Sequence, residues 1–316
     1  MLRFHLFIIS ALLSVESIFA QYTIDESPAY NLNQHVPAGN YSGITHLGNN
    51  LYAVVDDKAS YDGFHVWEIM VDSESGKVKD IKNKGFRHSS QPNRDCEGCA
   101  FIPEYNTILI SGEKDNCLVE YNTDGTTTGR RTRNLLPGAS SNAGLESLTY
   151  DRNTKHIWTM EESSVNGQLR LIGLDTKLNI LSQRIYQLSS PSKQQYNGNH
   201  IHGVSALCAI GDSCGTLLVL EREAYIPKSK IGAWTKIKLF AFYPEKRPDD
   251  PTSGRKTLLW EHTTQMNLFQ HNFANYEGMC LGPRLADGSI VLFLICDSQN
   301  RYAVVLKDYL KTLILR

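Results

Sequence analysis

The sequence predicts an all-β fold, a β-propeller. Three observations lead there. A short phrase recurs five times, in which small or acidic residues open an apolar run, a tight turn follows, and a second apolar run ends in an acid. Each copy has the form of a β-hairpin, two short runs rich in Ile, Leu, Val and aromatics around a Gly/Asn/Asp/Pro turn. No long segment carries the 3.6-residue apolar period of a helix. A hairpin returning roughly every 50–70 residues in an all-strand chain predicts propeller blades, whose innermost strands surround a channel.

The elements follow in order. Residues 1–20 have a secretory signal's pattern, with Arg3 before the apolar Phe4–Leu13 run and Ser17-Ile18-Phe19-Ala20 before Gln21, so an exported protein, extracellular or periplasmic, is expected. Residues 21–40 are polar, with Pro28 and Pro37, and form a lead-in to a single propeller domain spanning 41–316. The first hairpin runs from Tyr41-Ser42-Gly43-Ile44 to Asp56 and Asp57, and the second from Asp95-Cys96-Glu97-Gly98 through Pro103–Asn106 to Glu113. The third runs from Gly144-Leu145-Glu146-Ser147 to Glu161, the fourth from His202-Gly203-Val204-Ser205 to Glu221, and the fifth from Tyr276-Glu277-Gly278 to Asp297. Outer strands follow at 64–69, 118–121, 169–174 and 234–243, and the polar or Pro-rich stretches 187–199 and 244–255 read as surface loops. Six blades would take roughly 49 residues each and five roughly 59; four-stranded blades run about 40–50, so six is favoured, one lacking a readable motif, and the closing blade can combine the two chain ends.

In an antiparallel hairpin the start of the first strand lies beside the end of the second. The repeat therefore brings Glu97, Glu113, Glu146, Glu161, Glu221, Glu277, Asp297 and Asp56 or Asp57 to one mouth of the channel. Carboxylates so crowded raise each other's pKa, and a cation relieves them. An all-oxygen donor set favours a hard ion, calcium first. The expected ligands are Glu113, Glu161, Glu221, Glu277, Asp297 and Asp57. Glu97 or Glu146 is the expected general base. Arg94, His202 and Arg222 lie beside the acids and are expected to bind an anionic group of the substrate. Ser42 and Ser205 take the place of the first acid in two copies, but neither lies in Gly-x-Ser-x-Gly.

The net charge of −1 offers no nucleic-acid footprint, and no stretch beyond the signal approaches a membrane span. The chain has seven cysteines, and export would permit pairs such as Cys208–Cys214, Cys280–Cys296 or Cys96–Cys117, with the connectivity left open.

Asn275-Tyr276-Glu277-Gly278-Met279-Cys280-Leu281-Gly282-Pro283, followed by Asp287-Gly288 and Cys296-Asp297-Ser298-Gln299-Asn300, resembles the C-terminal signature of the phytase-like esterase propeller family. Arg94-Asp95-Cys96-Glu97-Gly98 and Asn142-Ala143-Gly144-Leu145-Glu146-Ser147-Leu148 resemble its middle motifs, and Tyr41–Ile44 with Tyr52–Asp57 its opening one. The resemblance spans about residues 40 to 306. It implies a secreted, metal-dependent propeller with esterase-like or phosphoesterase activity on a small molecule. The sequence shows no Lys/Arg cluster dense enough for a substrate bearing many phosphates. Two other classes remain open: a calcium propeller lactonase, for which Asn93, Asn142, Asn275 and Asn300 would join the acids, and a non-catalytic binding propeller with a structural ion.

Overall fold

The computed structural model describes residues 22–139, 144–164, 166–192, 198–229, 231–244, 256–266, 272–301 and 306–316. The expected signal segment, Asn142 and most of the 244–255 stretch lie outside them.

The described residues form strands and turns without a helix, arranged as five sheets. Two short N-terminal strands, β1 (Ile24–Glu26) and β2 (Tyr30–Asn31), come first. Blade 1 is β3 (Tyr41–Gly48), β4 (Leu51–Asp56), β5 (Tyr61–Val71) and β6 (Val78–Pro92). Blade 2 is β7 (Cys96–Ile102), β8 (Thr107–Gly112), β9 (Cys117–Asn122) and β10 (Thr127–Arg131). Blade 3 is β11 (Leu145–Asp151), β12 (His156–Glu161), β13 (Gln168–Leu174) and β14 (Ile180–Gln187). Blade 4 is β15 (Gly198–Ala209), β16 (Leu217–Pro227), β17 (Ala233–Phe242) and β18 (Lys256–Met266). Blade 5 is β19 (Asn275–Arg284), β20 (Ile290–Asp297) and β21 (Tyr309–Leu315), completed by β1 and β2, which both pair with β21.

The blade count is therefore five, not the favoured six, and every blade begins with one of the five repeat hairpins. The length arithmetic failed because these blades are long: β6 has 15 residues, and blade 4 has strands of 10 to 12. The lead-in is more than that, since its strands β1 and β2 supply the outer edge of blade 5 and so join N-terminal and C-terminal strands in one sheet.

Packing explains why strands such as β7 and β11 are buried along their whole length instead of alternating. Both faces of a blade meet a neighbour, so a continuous apolar run is what burial requires. Five apolar clusters fill the five seams. Val55 and Phe64 meet Ile108 and Tyr121; Leu109 meets Leu148 and Ile157; Trp158 and Leu171 meet Leu207 and Val219. Leu218 and Leu239 meet Leu292 and Leu313, and Phe293 and Ile314 return to Tyr41 and Trp67. That last seam closes the ring.

The first strand of each blade is innermost, and these strands touch in the cycle β3–β7–β11–β15–β19–β3. The ring they form is narrow at its waist, where a cavity of only about 10 Å³ is lined by Gly43, Gly98, Ser147, Ala206 and Gly278 among others. A Cβ on Gly98 would stand 2.5 Å from the main-chain nitrogen of Leu148. Gly43 is held as tightly against the carbonyl of Glu97. Gly98→Ala is therefore expected to cost about 1–3 kcal/mol through forced separation of blades 2 and 3, read as a lower denaturant midpoint. An unchanged midpoint would mean that the seam yields freely.

The expected disulfides do not form; all seven cysteines are free. Cys96 and Cys117 flank Gly112 from opposite sides, two strand spacings apart, beyond disulfide reach. Cys280 pairs with Phe293 in the ladder whereas Cys296 pairs with Tyr276, so the two are offset along it. Cys208 is buried in β15, while Cys214 is exposed in the following turn. No described helix is long and apolar enough to cross a membrane.

Candidate functional site

Each inner hairpin carries a β-bulge near its start. The ladder is interrupted between Tyr41 and Gly43, Cys96 and Cys99, Leu145 and Ser147, Val204 and Ala206, and Tyr276 and Gly278. The extra residues in these gaps are Ser42, Glu97 with Gly98, Glu146, Ser205 and Glu277. A bulge re-aims a side chain out of the pleat, and Ser42, Glu146, Ser205 and Glu277 all line the waist.

The second strands supply another set of equivalent positions. Opposite the residues that precede the bulges stand Asp56, Gly112, Glu161, Glu221 and Cys296. One residue further on come Asp57, Glu113, Glu162, Arg222 and Asp297. The main-chain N–H groups of Asp57, Glu113 and Glu162 donate to the carbonyls of Asn40, Asp95 and Gly144, the same bond in three blades.

Seven carboxylates from these two sets influence one another: Asp57, Glu97, Glu113, Glu146, Glu162, Glu277 and Asp297. Burial, then Glu146, Glu277, Asp57 and Glu113, hold the Glu97 carboxyl well above the usual range. Glu97 is only 6 % exposed. Burial and Glu162 do the same to Glu146, against the opposing pull of Arg222. Burial and Glu277 push Asp297 up to about 8. Burial also raises Glu277, Asp57 and Glu113.

Arg222 is the cation among them. One guanidinium nitrogen donates to Glu277 and, at 3.2 Å, to the Asn275 side-chain oxygen; the other donates to Glu162 at 2.6 Å and lies 3.9 Å from Glu146. Arg222 is 6 % exposed, and its Nε has no hydrogen-bond partner. Lys58 binds Asp57 at 2.7 Å and Asp95 at 3.0 Å from a more exposed position.

The other expected site residues stand elsewhere. Glu161 is gripped by Arg170, through its main-chain N–H at 2.6 Å and its guanidinium at 2.7 and 3.0 Å. Glu221 accepts from Tyr186 at 2.7 Å, from Ser189 and from Lys256. Both sit one residue before the equivalent positions, and a one-residue step in a strand turns the side chain to the opposite face. Arg94 is half-buried between Asp62, at 2.6 Å, and Asp115, at 2.9 Å, where it holds blade 2 to blade 1. His202 lies across the ladder from Glu223, and burial lowers its pKa. Asn93 is also structural, donating to the Asp56 carbonyl and accepting from Cys96 N–H. Ser42 donates to the Cys96 carbonyl at 2.8 Å and Ser205 to the Tyr276 carbonyl at 3.1 Å. Each hydroxyl thus ties one inner strand to the next.

Glu162 was missed by sequence reasoning. Its signal was the Glu161-Glu162 doublet, where the last acid of the apolar run hides the one beside it that joins the other acids.

The donors suit a hard cation. Seven oxygen-bearing acids face one guanidinium and a peripheral ammonium, and the Asp57 Oδ1 atom is buried without a hydrogen-bond partner. Among the described residues, no three acid, His or Cys side chains stand close enough together to hold an ion as they are placed.

The family model described as the esterase-like activity of phytase matches residues 36–299. The chain belongs to the phytase-like family. No curated protein matches it. Among solved structures, the phytase-like chain is similar to a streptogramin B lyase, at 14% identity and TM-score 0.40, covering 93% of this chain and 98% of the lyase. It is also similar to the PQQ-bound aldose sugar dehydrogenase of Streptomyces coelicolor, at 10% identity and TM-score 0.44, covering 94% and 99%. Similarity at this level says nothing of the phytase-like chain's chemistry.

Proposed function

We propose that this phytase-like propeller is an exported, calcium-dependent hydrolase of small esters or phosphoesters, working where the seven carboxylates share one mouth of the channel. The observation that carries the reading is the group of buried and half-buried acids, with too little positive charge of its own. Asp57, Glu113, Glu277 and Asp297 are the residues that would hold calcium, with Glu162 in place of Glu161. Ligation requires their carboxylates to turn toward one another. A bound cation would supply Lewis-acid polarisation of the ester oxygen.

The chain's own residues do the rest. With a cation bound nearby, the ionised form of Glu97 would be favoured, which is the form a general base needs. Glu97 then takes a proton from the attacking water. Arg222, 3.9 Å from Glu146, favours the ionised form of that carboxyl against the effect of burial. The tight waist below excludes bulk solvent from one side, which strengthens every charge interaction at the mouth.

The test is hydrolysis of a chromogenic phosphate monoester, a short carboxylic ester and a lactone, each in EDTA and then in calcium. Turnover of either of the first two that needs calcium is the expected result. Preference for the lactone would move the substrate class, and no turnover of any would favour a binding propeller with a structural ion.

A further inference from the structure

The equivalent positions, one residue beyond the partners of the residues that precede the bulges, read Asp57, Glu113, Glu162, Arg222 and Asp297, so the other four blades place an acid where blade 4 places an arginine. This arginine is not a surface partner. It is buried, and its described side-chain contacts are Glu146, Glu162, Glu277 and Asn275. The Asn275 amide in turn donates to Glu277 at 2.7 Å, so the two donate to the same carboxylate oxygen. Repetition makes the comparison internal: the fold supplies five equivalent places, and one carries the opposite charge.

We propose that Arg222 is a tethered counterion that competes with a divalent cation for Glu162 and Glu277. The inference rests on the calcium reading above. A guanidinium satisfies these acids without any ion, which keeps the apo-protein folded, and a cation must displace it or share its acids. Arg222 is then a positioning residue that sets calcium affinity. It is not a binder of the substrate's anionic group, because its amino groups are already engaged.

The experiment is calorimetric titration of the whole protein with calcium chloride at pH 8, for wild type, Arg222→Gln and Arg222→Lys. Removing one unit charge a few ångströms from an ion site changes affinity by one or more powers of ten, so Arg222→Gln is expected to bind calcium at least about tenfold more tightly. Arg222→Lys keeps the charge and is expected to stay within about threefold of wild type. Wild type that binds with Arg222→Gln no tighter overturns the proposal and leaves the calcium reading standing. Tightening by Arg222→Lys equal to that by Arg222→Gln also overturns it, since charge would not be the cause. If neither wild type nor folded Arg222→Gln binds, both fall. Binding by Arg222→Gln alone supports the proposal in its strongest form and removes calcium from the wild type. If Arg222→Gln is unfolded without calcium, refolding by calcium supports the proposal, and failure to refold overturns it.

Discussion

Replacing Glu97 by Gln is expected to raise the melting temperature in EDTA and to remove most of the calcium-dependent turnover. Glu97 is buried, and the influences that raise its pKa are burial and four other carboxylates. A neutral side chain of the same shape removes the cost of ionising or protonating this buried carboxyl, which at pH 8 is expected to add about 2–6 °C. The same change takes away the proposed base, and general acid–base catalysis contributes typically 10²–10⁴-fold. Turnover is therefore expected to fall by at least about a hundredfold with the fold intact. Differential scanning fluorimetry and steady-state kinetics on one preparation separate the two effects. A lower melting temperature in EDTA would show that Glu97 is a structural acceptor and would count against both parts.

The second large effect is on stability against pH. Asp297 is pushed up to about 8 and Asp56 up to about 6, each chiefly by burial, and burial with neighbouring acids raises Glu97, Glu146 and Glu277 as well. A carboxyl with a raised folded-state pKa keeps a proton that the unfolded chain has released. Its contribution is fully present below the ordinary carboxyl range and is lost as pH rises through the folded pKa. The calcium-free protein is therefore expected to lose stability from about pH 4 to pH 8, with a melting temperature at least about 5 °C lower at pH 8 than at pH 5. Calcium favours the ionised forms, so its stabilising effect is expected to grow over the same range. Unfolding scans at five pH values, with EDTA and with calcium, read both slopes. A calcium-free melting temperature that rises from pH 5 to pH 8 would contradict the buried-acid account.

Much of the fold was legible because the repeat is a hairpin and each blade is built on one. The blade count was misread because length was divided by an average blade, and nothing in the sequence announces that β6 runs for 15 residues or that β1 and β2 return to the C-terminal sheet. The candidate site was partly legible. Asp57, Glu97, Glu113, Glu146, Glu277 and Asp297 were found from their places in the repeat, and the structure brings them into one electrostatic group. Glu161 and Glu221 were chosen over Glu162 and Arg222 because the period of two makes adjacent residues opposite in direction, and the ladder register was needed to choose between them. Arg94 and His202 stood beside the acids in sequence but are turned into other contacts, with Asp62 and Asp115 for the first and beside Glu223 for the second. Proximity along the chain does not fix direction in a strand.

The most direct test of the central claim is thermal unfolding of the wild-type protein at pH 8 in EDTA, then with added calcium, magnesium or zinc, followed by elemental analysis. A calcium-specific rise of several degrees, with calcium found in the purified protein, is the predicted result. No shift with any ion and no metal in the protein would contradict it, and would leave Arg222 as the counterion that the buried acids require.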